Sequence, residues 1–173
     1  YILIYYDMLY IVSTPIGTIA DTSYRAAQTL ADSDCIFAED TRIFKPYYQE
    51  VLSLFSLQPK PNQVVQSYHV ENEFSQLPKV LDELRSGKNV SLVSDAGVPL
   101  VSDPGRLLVE RVVRESIPYT VIPGPSALTT AMVHAHSQSP TLFVGFLPKK
   151  QSQKEFLWLS FKESSLKPLS ICA

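Results

Sequence analysis

Ser94-Asp95-Ala96-Gly97-Val98-Pro99-Leu100-Val101-Ser102-Asp103-Pro104-Gly105 is the stretch that decides the fold. An apolar run, Asn89–Val93, leads into it, and an amphipathic run, Arg106–Val113, leads out. The order is strand, loop, helix. In an open α/β sheet, ligands bind outside the carboxyl ends of the strands, where this loop falls. Its small residues let a backbone approach a ligand closely, and Pro99 and Pro104 stiffen it. Asp95 stands at the strand's end, where a carboxylate reaches a hydroxyl or an ammonium group. Asp103 and Pro104 read as an N-cap and a first helical residue.

The same alternation runs outward in both directions. Leu9–Ser13 is a short apolar strand broken by Thr14-Pro15-Ile16-Gly17, and Asp21 is expected to cap a helix through Asp32. Cys35–Ala38 is a second strand, followed by Glu39-Asp40-Thr41-Arg42 and a helix over Ile43–Phe55. Val64–Tyr68 is a third, with His69-Val70-Glu71-Asn72-Glu73 past its end. The next helix should start near Ser75, since Pro78 belongs in a first turn, and Gly87 ends it. Tyr119–Ile122 is a fifth strand, turned by Pro123-Gly124-Pro125-Ser126-Ala127 into a helix over Leu128–His136; Leu142–Val144 is a sixth. Beyond Lys149 the pattern decays without completing another unit. The fold class is α/β, a mainly parallel open sheet with helices on both faces.

The 173 residues carry a formal net charge of −2 and are 45% hydrophobic. That is enough apolar material for a core, with no basic footprint for nucleic acid. No run reaches the roughly 18 apolar residues of a membrane span. Cys35 and Cys172 lack metal or redox spacing, so Cys35 reads as a core thiol and a reducing cytoplasm is expected. Residues 1–7 read as an extension ahead of Met8, 8–146 as an N-terminal α/β domain, and 147–173 as a linker and the start of a second domain.

Several chemistries are absent. No Gly-x-Gly-x-x-Gly follows the first strand, and there is no Gly-Lys-Ser/Thr or Gly-x-Ser-x-Gly. His134 and His136 stand two apart on a helix, a poor metal pair. No metal is expected.

In order, Thr14–Gly17, Glu39–Arg42, Ser67-Tyr68-His69 with Asn72-Glu73, Ser94–Pro99 with Ser102–Gly105, Pro123–Ala127 and Gly145-Phe146-Leu147-Pro148 together resemble the tetrapyrrole-methylase superfamily. Within it they are most similar to the branch that methylates a cytidine ribose 2′-hydroxyl in small-subunit ribosomal RNA. Thr18 departs from the asparagine usual there. The resemblance implies a homodimeric S-adenosylmethionine-dependent methyltransferase with two α/β domains. Its cofactor loops map onto Ser94, Asp95, Ala96, Gly97, Val98 and Pro99, and onto Pro123, Gly124, Pro125, Ser126 and Ala127, with Thr14, Pro15 and Gly17 nearby. The amides near Ser126, at a helix N-terminus, suit the cofactor carboxylate, and Asp95 or nearby carbonyls suit a positive group.

For methyl transfer to a hydroxyl, His69 and Glu39 are the candidate bases. Arg42 is a candidate phosphate contact, or else pairs with Glu39 or Asp40. Asp40 and Asn72 are further substrate-side candidates, although Asn72 and Glu73 also read as helix caps. Two other readings stay open. One is methylation of a tetrapyrrole or other small substrate; the other is an inactive, truncated binding module.

Overall fold

Leu9–Val12 forms β1, every residue of it buried, with partners on both sides. In chain order follow α1 (Tyr24–Asp32), β2 (Cys35–Ala38), α2 (Thr41–Leu54), β3 (Val64–Ser67), α3 (Glu73–Arg85), β4 (Val90–Val93), α4 (Arg106–Arg114) and β5 (Tyr119–Ile122). The computed structural model describes residues 8–136, 141–162 and 167–171, so Cys172 and the segment 1–7 lie outside it. The chain divides into two compact units, Tyr1–Pro125 and Ser126–Ala173.

The first unit is a five-stranded, all-parallel sheet in the order β3-β2-β4-β1-β5. Side chains alternate across it, as a strand requires. Leu9 and Ile11 of β1 pack with Val80, Leu81, Leu84, Leu108 and Val112 from α3 and α4. Tyr10 and Val12 pack on the other face with Ala26, Leu30, Phe44 and Tyr48 from α1 and α2. The expected doubly covered sheet is present, and each face has its own apolar layer. Cys35 is a buried free thiol in the layer under α3 and α4, and burial pushes it above its ordinary pKa.

Several boundaries differ from the expectation. Asp21 closes a 3-10 turn over Ile19–Asp21 that Thr18 caps through its side chain, while Ser23 caps α1 by accepting from the Ala26 amide. Helix α2 begins at Thr41 and α3 at Glu73, so Pro46 and Pro78 are each the sixth helical residue. Each proline leaves the carbonyl four residues earlier, at Arg42 and Phe74, without its helical donor. All four residues are exposed, so the missing bond is lost at the surface rather than in the core. Helix α4 starts at Arg106 with Gly105 as its N-cap (φ 116°), later than Asp103 and Pro104 suggest.

In the second unit, α5 (Ala127–His134) precedes β6 (Thr141–Phe146), α6 (Gln151–Lys162) and β7 (Lys167–Ile171). Strands β6 and β7 pair in parallel, so Gln151 onward does complete a β-α-β unit. Helix α5 and strand β6 fall in this unit rather than with the sheet of β1–β5. Among the described residues no helix is long and apolar enough to cross a membrane.

Candidate active site

Topology fixes where the site forms. From β2 the chain leaves through α2 on one face, and from β4 it leaves through α4 on the other. The two strands are neighbours, so their carboxyl-end loops diverge and open a crevice. The same reversal separates β4 from β1 and β3 from β2.

The loops after β2 and β4 are fastened by a reciprocal pair of bonds. The Asp95 N–H donates to Glu39 Oε2 at 3.2 Å, and the Asp40 N–H donates to Asp95 Oδ1 at 3.0 Å. Each strand end thus lends a carboxylate to the backbone of its neighbour. Burial pushes the Glu39 carboxyl above its ordinary pKa; the Asp95 amide and His69 oppose that, while Asp103 and Asp95 add to it. Burial also raises Asp95 and Asp103, with Asp40 adding to the first and Asp95 to the second.

Asp40 behaves oppositely. It caps α2 by accepting from the Arg42 amide at 2.8 Å, and its carboxylate takes the Arg42 guanidinium through Nε and Nη2, the latter at 2.6 Å. Those bonds hold its pKa down at about 2. Arg42 therefore pairs with Asp40, not Glu39, while its side chain remains 89% exposed.

Glu39, Asp40, Thr41, Arg42, Ser67, His69, Glu71 and Asp95 line one open cleft of about 470 Å³. It gathers both candidate bases and two of the three substrate-side candidates. Asn72 is spent elsewhere: its Oδ1 accepts from the His69 amide at 2.8 Å, and its Nδ2 donates to the Ser67 carbonyl and hydroxyl. It shapes the His69 turn, and its side chain makes no cap bond to α3.

The loops mapped to the cofactor converge in part. Thr14 and Gly97 form a two-way backbone bridge, with N–H to O distances of 2.9 and 3.1 Å, and Thr14 Oγ1 donates to the Ser94 carbonyl. Gly124 lies so close to β1 that a Cβ there would meet Ser13 Cβ at 2.7 Å. Thr14, Pro15, Gly17 and Asp95 line a second cleft of about 330 Å³ with Ile19, Pro46, Tyr47 and Glu50. Ala96 is exposed, Val98 half-buried and Pro99 buried in the β4 loop; Pro123 and Pro125 flank Gly124 after β5. Ser126 and Ala127 begin the second unit, Ser126 as the N-cap of α5. Among the described residues, no group of three or more His, Cys, Asp or Glu is placed to hold a metal ion.

Sequence reasoning missed Thr41, Ser67 and Glu71 as cleft walls, and Tyr47 and Glu50 beside Thr14. Thr41 and Ser67 lie within the quoted motifs and Glu71 just after one, whereas Tyr47 reads only as a core position of α2.

Known proteins bear on this geometry. The chain is 39% identical to a protein of Halalkalibacterium halodurans named ribosomal RNA small subunit methyltransferase I, over 84% of this chain and 48% of that one. It is 40% identical to the Thermotoga maritima protein of that name, over 90% of this chain and 67% of the relative. With the Mycoplasmopsis pulmonis protein of that name it shares 39% identity, over 85% and 63%. It thus spans about half to two thirds of these relatives' length. The fold is shared with a solved cobalamin biosynthetic enzyme, cobalt precorrin-4 methyltransferase, at TM-score 0.57 and 16% identity, over 83% of this chain and 59% of that one. The sequence model described as Tetrapyrrole (Corrin/Porphyrin) Methylases matches residues 8–163, and on that match the chain belongs to the tetrapyrrole methylase family.

Proposed function

We propose that this chain is the part of an S-adenosylmethionine-dependent methyltransferase that bears the loops after β1, β4 and β5 and the cleft around Glu39. Its substrate is a cytidine ribose 2′-hydroxyl in small-subunit ribosomal RNA, and it works in the cytoplasm as a homodimer. The observation that carries the reading is the convergence of Glu39, His69, Arg42 and Asp95 on one cleft at the crevice between β2 and β4. The names of the relatives supply the substrate class.

The donor set fits the cofactor. Its cationic groups match a wall of carboxylates that includes Asp95, and the second cleft lies in the size range of small-molecule sites. Thr14, Pro15, Gly17 and the Asp95–Pro99 segment would hold it. When bound it supplies a methyl group on a positively charged sulfur. Positioning of the hydroxyl is the main contribution asked of the protein. Glu39 Oε2 is engaged by Asp95, which leaves Oε1 to accept the hydroxyl proton. Its raised pKa brings it nearer to working pH, which suits a general base. His69, on the same cleft, is the alternative base.

A methyl-transfer assay with small ribosomal subunits and the full chain tests the reading. Loss of the true base lowers the rate by about 10²–10⁴-fold. If Glu39→Ala and His69→Ala both keep the wild-type rate, the cleft is not where the chemistry happens.

One observation favours a small substrate instead. Glu39, Asp40, Glu71 and Asp95 face the same cleft as Arg42, the one arginine or lysine among the described residues that line it, a poor surface for a polyanion. Binding of RNA that does not weaken with salt would favour that second reading.

A further inference from the structure

Loop Ser94–Gly105 is held in backbone conformations that side chains resist. Gly97 has φ 84°, Leu100 74°, Ser102 72° and Gly105 116°. The left-handed region crowds the Cβ of any residue but glycine, and such backbone persists only where its surroundings fix it. The start of the loop is fixed by the Thr14–Gly97 bridge and the Glu39–Asp95 bond.

The far end has no cap of its own. Gly105 offers no side chain, and a Cβ there would lie 2.7 Å from Leu92 Cδ2. In a capping box, a carboxylate three residues into the helix reaches back to the N-cap amide. Here that residue is Leu108, fully buried in the core. The carboxylate comes instead from the first residue of α3: Glu73 Oε1 accepts from the Gly105 N–H at 3.0 Å. The same oxygen accepts the Tyr68 hydroxyl at 3.2 Å. Tyr68 is fully buried, meets Phe37 edge to face, and its own N–H donates to the Ala38 carbonyl at 2.8 Å. Burial, with Glu73 adding, pushes its phenol well above the ordinary value, so it stays a donor.

We propose that Glu73 is a positioning residue: it caps α4 from another helix and clamps the end of the Ser94–Gly105 loop to the segment that carries His69. This rests on the methyltransferase reading, in which one loop serves the cofactor and the other the substrate. With the clamp in place the two loops keep one spacing. Without it, the loop loses its tie to the His69 segment, although Leu108 and Val112 still anchor α4 in the core.

The test uses the full chain with Glu73→Gln, Glu73→Asp and Glu73→Ala. Three quantities are measured: amide exchange at Gly105, affinity for S-adenosylhomocysteine, and KM and kcat for methyl transfer. A glutamine oxygen can still accept both bonds, an aspartate is too short, and an alanine has none. The expected order is therefore wild type and Gln together, Asp and Ala together. Asp and Ala exchange the Gly105 proton faster and raise KM for the cofactor, each by about tenfold, the cost of one hydrogen bond. Tyr68→Phe, which keeps the core, shifts both in the same direction by less. The clamp is overturned if Gln behaves like Ala, because charge rather than reach then matters. It is equally overturned if Gly105 exchange rises with KM unmoved, a purely structural role. If the alanine variant does not fold, the Gln and Asp comparison decides. A wild-type chain that binds no S-adenosylhomocysteine sinks the methyltransferase reading, while the exchange order still judges the clamp.

Discussion

Glu39 is pulled in two directions. As the acceptor for the Asp95 amide it needs only an oxygen, yet its charge lies among Asp95, Asp103 and a partly buried wall. A carboxyl whose folded pKa is raised binds its proton more tightly folded than unfolded. It contributes stability below its unfolded value and loses it as pH rises through the folded one. Glu39→Gln keeps the acceptor and removes the charge. Its melting temperature should exceed that of wild type at neutral pH, and the difference should close below about pH 4. A gap that stays constant from acid to neutral pH would mean that charge at Glu39 costs nothing. Methyl transfer by the same variant should fall if Glu39 is the base, so stability rises as activity drops. At this scale the sequence is legible in part. The placement of Glu39, His69 and Arg42 at strand ends follows from periodicity, and the structure brings them onto one cleft. That Asn72 would turn inward, and that Arg42 would choose Asp40, depends on side-chain reach across a turn, which spacing does not encode.

Elements were legible where apolar residues kept their period and illegible where one residue broke a rule. The strands β1 to β5 begin and end within a residue or two of their expected limits. The two helices start two residues earlier than Pro46 and Pro78 suggest, because an exposed proline inside a helix frees a carbonyl at the surface rather than in the core. In α6 the apolar residues Phe156-Leu157-Trp158-Leu159 run consecutively, so no helical period marks it, and the side chains of Phe156 and Trp158 are exposed. Three substitutions test this scale. Ser23→Ala removes the cap of α1 and should cost about 1 kcal/mol by denaturant melting, whereas Asp21→Ala should cost far less. Gly97→Ala places a side chain at φ 84° with its Cβ 3.4 Å from Ile16 Cγ2. The backbone term alone is about 1–2 kcal/mol, and the Thr14–Gly97 bridge is what it strains. A melting loss under about 0.3 kcal/mol would mean that the loop relaxes freely, against a stiff frame.

At the scale of the whole molecule, the proposed RNA substrate raises the question of how an acidic chain meets a polyanion. The formal net charge is −2, and the cleft carries several carboxylates. On the RNA reading proposed above, this chain offers no overall positive charge for steering, and recognition would rest on placed contacts rather than on a basic field. Among the described residues that line the cleft, Arg42 is the arginine or lysine available. Asp40 holds its guanidinium through Nε and Nη2 yet leaves the side chain largely exposed, a fixed orientation rather than a buried pair. An exposed pair of this kind contributes little to stability. In the full chain, Arg42→Ala should weaken binding to small-subunit RNA and reduce the salt slope by about one, the share of a single phosphate. Cofactor affinity should barely change. Asp40→Asn makes the opposite change: it removes a repelling charge and frees the guanidinium, so RNA should bind more tightly and the salt slope steepen. It also keeps a side-chain oxygen to cap α2, which separates the electrostatic effect from loss of the helix start. If the two variants move the slope in the same direction, or if Arg42→Ala leaves the slope intact and loses cofactor binding, then Arg42 serves the loop and not the RNA. The acidic cleft would then favour the small-substrate reading.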